Sequence, residues 1–259
     1  MNTIPLFIII LVFITLRSTI LPIMPFKKLT LLFLFQYILL SQGNTQPALT
    51  IISNPSTFKA SINAYPKLEL IELKTLVPNI KYDLKYATSD NFTSVRLYPT
   101  NTYSTYLRKE PAEALLIIAK ELAGKGIGIW VWDAYRPYHV TVKFWELIKD
   151  ERYVANPSKG SGHNRGIAID MTLYDLKTGV LLDMPTNFDD FSEKAHHGAD
   201  NISSTQKENR ELLKNIMEKH GFLKFQTEWW HYYWPNGEQY DVLDFSFKQI
   251  KKINSDTSK

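Results

Sequence analysis

Cysteine is absent from the 259 residues, which excludes disulfides, thiol nucleophiles and cysteine-ligated metal sites. Any tightly held zinc must therefore use His, Asp or Glu, and there are only six histidines to draw on. A dominant charge is missing too. The formal net charge is +4, and Arg17, Lys27 and Lys28 are the only charged residues among the first 43. The remainder carries 27 basic and 26 acidic residues with no basic stripe, which argues against a nucleic-acid partner and for a small one. Repeats and low-complexity tracts are also lacking. What remains is ordinary globular composition, 44% hydrophobic and 22% charged. With 14 Tyr, 14 Phe and 6 Trp, the chain can build a sizeable core without covalent staples.

Two apolar runs stand at the N-terminus, Ile4–Leu16 and Leu29–Leu40. Each is shorter than the ~20 residues that span a bilayer comfortably. The second has the layout of a secretory signal: Lys27 and Lys28 as the basic region, LTLLFLFQYILL as the apolar region, and Ser41-Gln42-Gly43 as a small-residue cleavage site. Because Met24 immediately precedes PFKK, translation is expected to start there. Residues 1–43 are thus read as a signal or hydrophobic segment, with an exported, periplasmic or envelope protein and no stable membrane span in the mature chain. A membrane hairpin is the rival reading.

Residues 44–66 are rich in Ser, Thr, Asn and Pro and read as a linker or extended arm. Residues 67–259 read as one α+β domain with a mainly antiparallel sheet flanked by helices. Leu70–Leu76 and Ile80–Tyr86 are expected as short strands around a Pro-Asn turn. Pro111 should open a helix reaching Ala123, and Ile127–Trp132 should be a buried strand. Val140–Ile148 and Thr205–His220 are expected helices, the latter stopped by Gly221. Gly166–Leu173 and Trp229–Trp234 are expected strands.

The chemistry gathers in two segments. In Ser161-Gly162-His163-Asn164-Arg165-Gly166-Ile167-Ala168-Ile169-Asp170, a histidine precedes an aspartate by seven, with glycines either side of it. Some sixty residues on, Glu228 precedes His231 by three. Together they offer two imidazoles and a carboxylate to one zinc ion, with a second carboxylate left over. A catalytic zinc needs three protein ligands and an open position, and the spare carboxylate can carry a proton. Each piece alone is as readily a core histidine or a strand-end aspartate; the combination outweighs that.

These segments resemble the VanX-type D-alanyl-D-alanine dipeptidases within the wider zinc D,D-peptidase group. YDLKYATSDNF, WDAYRPY, GSGHNRGIAIDMTL and EWWHYY carry the resemblance, in order, from about Tyr82 to Phe247. KYATSDNF, the FDDF stretch with the downstream HHGAD, and EWWHYY lean towards the dipeptidase branch. The resemblance implies one zinc held by His163, Asp170 and His231, Glu228 as general acid/base, and Arg136 assisting the tetrahedral intermediate. It implies Asp189 and Tyr86 on the substrate ammonium, with Asp190 a competitor for that role, and Ser161 near the substrate. Arg136 is equally able to be a structural partner of Asp133. Gly162 stands where the dipeptidase pattern has a second serine, which puts contacts to the substrate carboxylate in question. His196 and His197 are read as structural, since adjacent histidines rarely face the same way.

The expected activity is hydrolysis of a D,D-dipeptide, D-alanyl-D-alanine or a relative. The alternatives are a D,D-carboxypeptidase acting on peptidoglycan stems and a catalytically silent, wall-binding zinc module.

Overall fold

The computed structural model describes residues 49–257; the signal layout and the Met24 start lie outside them. The sequence next to that boundary departs from the expected arm. After a two-residue strand, β1 (Ile51–Ile52), residues Pro55–Ala64 form helix α1. The signal is local: Asn54 caps the helix by accepting from the backbone of Ser56 and Thr57, and Pro55 occupies a first-turn position that has no N–H to lose. Phe58 and Ile62, four apart, are buried on one face.

The second departure lies in the two expected strands. The first ends early, as β2 (Leu70–Glu72), and turns into the short helix α2 (Leu73–Leu76). Leu73 and Val77 are both buried, at helical spacing rather than in alternation. The other is only β3 (Lys81–Tyr82), followed by a turn of 3-10 helix over Lys85–Ala87. They do not pair with each other: β2 pairs with β4 (Tyr106–Arg108), and β3 runs parallel to β5 (Ile127–Asp133).

The remaining elements fall close to expectation. Helix α3 covers Lys109–Ala123, so Pro111 sits inside its first turn, where the backbone N–H groups lack helical partners anyway. Helix α4 is Tyr138–Ile148, and a four-residue turn, α5 (Gly162–Arg165), leads into β6 (Ala168–Asp175). Helix α6 (Ser204–Lys219) stops at Gly221, which takes a φ of +93°. A hairpin, β7 (Leu223–Phe225) and β8 (Glu228–Tyr233), precedes β9 (Val242–Leu243) and α7 (Phe247–Thr257).

The central sheet has the order β3-β5-β6-β8-β7 and is antiparallel except for the β3–β5 pair. The architecture is α+β, as expected. Leu115, Ile118 and Leu122 of α3 and Leu213, Ile216 and Met217 of α6 bury themselves with Ile129, Val131 and Leu173 of the sheet. A second core joins α1 to α7 through Phe58, Ile62, Ile250 and Ile253. Among the described residues no helix is long and apolar enough to cross a membrane.

Candidate metal centre and active site

Three neighbouring strands place one acidic or imidazole side chain each in a single row. Asp133 of β5 lies opposite Asp170 of β6, which lies opposite His231 of β8. Directly paired residues project from the same face of a sheet, so the row is a consequence of register. His163 joins it from α5. Ser161 caps that turn by accepting from the Asn164 backbone, and Asn164 accepts from the Ser161 backbone in return. Gly166 then bends the chain with φ +70° into β6.

His163, Asp170 and His231 offer donor atoms within 4.8 Å of one another. His163 Nδ1 lies 2.6 Å from the carbonyl of Ala134, which fixes that nitrogen as the N–H and leaves Nε2 as the free donor atom. Nε2 lies 3.3 Å from His231 Nδ1 and 3.4 Å from Asp170, whose other oxygen is 2.8 Å from His231 Nδ1. Burial alone would raise the Asp170 carboxyl, but the two imidazoles outweigh it and hold Asp170 below the ordinary carboxylate range.

Glu228 is the fourth member. Residues three apart on a regular strand face opposite ways, so Glu228 and His231 should not share a site. The β7–β8 hairpin is irregular here: Lys224 pairs with Tyr232, yet the next residue, Phe225, pairs with Glu228. That break turns Glu228 to the same side, 3.9 Å from His231 Nδ1. Burial raises its carboxyl to about 7, against the pull of His231.

Arg136 and Asp133 meet as the structural alternative anticipated, with guanidinium Nε and Nη2 donating to Asp133 at 3.0 and 2.7 Å. Tyr98 donates to the other oxygen of Asp133 at 2.8 Å. This pairing does not remove Arg136 from the pocket, which it lines together with His163, Asp170, Glu228 and His231. Buried Asp133, anticipated only as the structural partner of Arg136, and buried Tyr98, which no local signal marked, support the site from behind.

Asp189 and Tyr86, 103 residues apart, also meet. The phenol donates to both carboxylate oxygens at 3.1 and 3.2 Å. Asp189 adopts the left-handed conformation, φ +59°, which Asp tolerates better than most residues. Burial, with Asp170 near, pushes its carboxyl well above the usual range. Asp190 accepts from the Ser192 backbone and lines the adjoining cleft but, unlike Asp189, not the pocket itself. Ser161 and Gly162 line the pocket as well. A Cβ at Gly162 would come within 2.9 Å of the Ala168 Cβ, so the missing serine has a packing cause here.

The pocket that His163, Asp170, His231, Glu228, Arg136 and Asp189 line together is about 270 Å³. A larger cleft of about 880 Å³ borders it through Asp189 and Phe92 but includes none of the three clustered donors.

The histidine pair stays out of the pocket. His196 borders a surface depression, and His197 is buried against the ring of Tyr232 with neither ring nitrogen hydrogen-bonded. Burial, aided by Lys224 and Arg210, depresses its pKa to about 4. A base whose folded pKa lies below the unfolded ~6.5 stabilises fully only above that value, and loses the contribution as pH falls towards 4. Wild type should therefore lose about 1–2 kcal/mol more than His197→Phe between pH 7 and pH 5, as measured by denaturant unfolding. Equal losses would show that His197 does not titrate in this window.

A family model described as "Peptidase_M15: D-ala-D-ala dipeptidase" matches residues 66–250. The D-alanyl-D-alanine dipeptidase of Escherichia coli K12 is 34% identical over 179 residues, 69% of this chain and 91% of that protein. The one from Enterococcus faecium is 42% identical over 182 residues, 62% of this chain and 88% of that protein. Among solved structures, a variant of the D,D-pentapeptidase from a VanB-type vancomycin-resistance cassette, in complex with Zn(II), aligns with a TM-score of 0.35 and 16% identity. It covers 54% of this chain and 84% of that chain, too slight a likeness to bear on fold or chemistry.

Proposed function

We propose, for a chain that belongs to the D-Ala-D-Ala dipeptidase family, that it hydrolyses D-alanyl-D-alanine or a close D,D-dipeptide with zinc as its metal. The observation that carries this reading is the meeting, in one small pocket, of the His163–Asp170–His231 cluster with Glu228 and the buried Asp189–Tyr86 pair.

The donor set suits zinc. Two imidazole nitrogens 3.3 Å apart are spaced as two ligands of a tetrahedral ion at ~2.0–2.1 Å must be, and the third donor is a carboxylate. Mixed nitrogen and oxygen donors of this number favour zinc over magnesium or calcium. When bound, the ion supplies a Lewis acid and makes a water nucleophilic near neutral pH.

The protein does the rest. Glu228 takes a proton from the attacking water and delivers it to the departing amino group. A buried carboxyl raised to about 7 is matched to both tasks, and a cation beside it draws the value back down. Arg136, held by Asp133, sets a fixed positive charge where the carbonyl oxygen becomes negative; comparable donors contribute ~2.7–4 kcal/mol. Asp189 is a buried carboxyl whose hydrogen-bond partner is a neutral phenol and whose proton affinity is raised by burial, so the substrate's ammonium is the counter-charge that favours its ionised form. That ammonium exists only at a free N-terminus next to the scissile bond, which favours a dipeptidase over an enzyme that trims longer stems.

The signal layout of residues 25–43 supports export to the cell envelope, where the activity would recycle wall dipeptides. Cell fractionation that leaves the protein in the cytoplasm would overturn this part.

The activity test uses purified protein, stripped of metal and reloaded with zinc. It should release D-alanine from D-Ala-D-Ala, lose this with chelator, and leave a D-Ala-D-Ala-terminated pentapeptide intact. Cleavage of the pentapeptide alone would move it to the carboxypeptidases, and zinc binding without either activity would make it a silent module.

A further inference from the structure

A dipeptide leaves little room for error in how it is held. Its ammonium nitrogen and its scissile carbonyl carbon are bonded to the same Cα, which fixes them about 2.5 Å apart. Whatever grips the ammonium therefore also sets where the carbonyl lies, and a misplacement of about 1 Å costs on the order of 10²-fold in rate. Asp189 and Glu228 must consequently keep a fixed separation. They belong to different segments, Asp189 to the loop of residues 182–191 that follows β6, and Glu228 to the start of β8.

That loop is thinly supported. Residues 181–190 all border the cleft of about 880 Å³, and Asp189 borders the smaller pocket as well, so the loop is a wall between two open spaces. Its first end is tied to α6, where Asn209 donates to the Asp183 carbonyl at 2.9 Å and Gln206 donates to the Asp183 carboxylate at 3.1 Å. Towards its other end the Tyr86 hydroxyl donates to Asp189. For residues 184–188, between these ties, one hydrogen bond reaches another element among the described residues: Trp229 Nε1 donates to Thr186 Oγ1 at 2.9 Å.

Trp229 is the residue next to Glu228, and its side chain is wholly buried. Its ring meets Trp132 edge-on at 5.8 Å, and Trp132 stacks at 4.8 Å on Phe188, the neighbour of Asp189. Two links thus join the residue beside Glu228 to the loop that carries Asp189, a polar one through Thr186 and an aromatic one through Trp132 and Phe188. Ring contacts resist separation but tolerate sliding. A hydrogen bond of 2.9 Å sets both a distance and a direction.

We propose that Thr186, by accepting from Trp229, is a positioning residue that keeps the ammonium-binding loop in register with Glu228 and the metal cluster, so that a bound dipeptide presents its carbonyl to attack. This rests on the dipeptidase reading. If Thr186 merely satisfied a buried indole N–H, as buried tryptophans require, the bond would matter to folding and not to turnover.

Thr186→Val keeps the shape of the side chain and removes the acceptor, whereas Thr186→Ser keeps the hydroxyl. Zinc-loaded wild type and both variants are assayed on D-Ala-D-Ala well below their melting temperatures, with rates taken per bound zinc so that unfolded molecules do not count. Thr186→Val should lose about 10- to 100-fold in kcat with KM within about threefold, because the ammonium still finds Asp189 while the carbonyl is displaced. Thr186→Ser should stay within about threefold of wild type in both. A loss in Thr186→Val below about fivefold in kcat, beside a lowered Tm, makes the bond structural and overturns the proposal, as does a Thr186→Ser as slow as Thr186→Val. Zinc lost in proportion to activity would place the effect at the metal and overturn it as well. A wild type inert towards D-Ala-D-Ala overturns the dipeptidase reading instead, and the positioning role falls with it.

Discussion

Glu228→Gln is expected to lower kcat on D-Ala-D-Ala by ~10²–10⁴-fold, with KM and zinc content nearly unchanged, as general acid–base catalysis of this kind contributes that much. The geometry separates Glu228 from the donors: it lies 3.9 Å from His231 Nδ1, whereas Asp170 is 2.8 Å from the same atom. Glutamine preserves its shape but cannot carry a proton, so the hydrogen bond to Trp230 should survive through the amide oxygen. Steady-state kinetics with metal analysis of the same sample is the measurement. Loss of zinc in parallel with activity would make Glu228 a ligand, and a kcat within tenfold of wild type would remove it from the proton path.

The reason Glu228 can play that part was only half legible in the chain. A glutamate three residues before a histidine, inside an aromatic run, points to a site, but strand periodicity turns the two apart. Only the irregular β7–β8 hairpin brings them together, and register breaks of this kind leave no composition signature. His163 and Asp170 were readable because their geometry is local: a capped turn, a glycine at φ +70° and a strand. Asp170 and His231 depend on register between strands sixty residues apart, which apolar patterning does not specify residue by residue. Tyr86 and Asp189 came from resemblance alone, since nothing near either residue announces the other. The helix at Pro55–Ala64 was a different case. Its cap at Asn54 and its buried pair Phe58 and Ile62 were present in the sequence, but polar composition across the segment masked them. At Leu73–Leu76 a dense apolar run read as strand, while burial of Leu73 and Val77 four apart reveals the helical turn.

The largest effect on the metal itself should come from Asp170→Asn. Zinc that binds the folded chain and not the unfolded one stabilises it by RT ln(1 + [L]/Kd), about 4 kcal/mol at a thousand-fold excess over Kd. For a domain of this size that corresponds to a rise in Tm on the order of 10 °C, which chelator should reverse. Asparagine keeps the volume of Asp170 but removes its charge, leaving two imidazoles whose nitrogens lie 3.3 Å apart. Replacing supports outside the ligand set already costs ~10–100-fold in affinity in comparable sites, and loss of an anionic ligand should cost more. The Tm of Asp170→Asn should then be nearly indifferent to zinc and chelator, and dipeptide turnover should vanish with the bound metal. Its metal-free form should also melt below metal-free wild type, because there the carboxylate pairs with His163 and His231 in the buried row. Scanning calorimetry of both proteins, each with zinc and with chelator, separates these effects. A zinc-dependent rise in Asp170→Asn equal to that of wild type would mean that the ion is held elsewhere, and the row Asp133, Asp170 and His231 would revert to a buried polar network that merely orders the sheet.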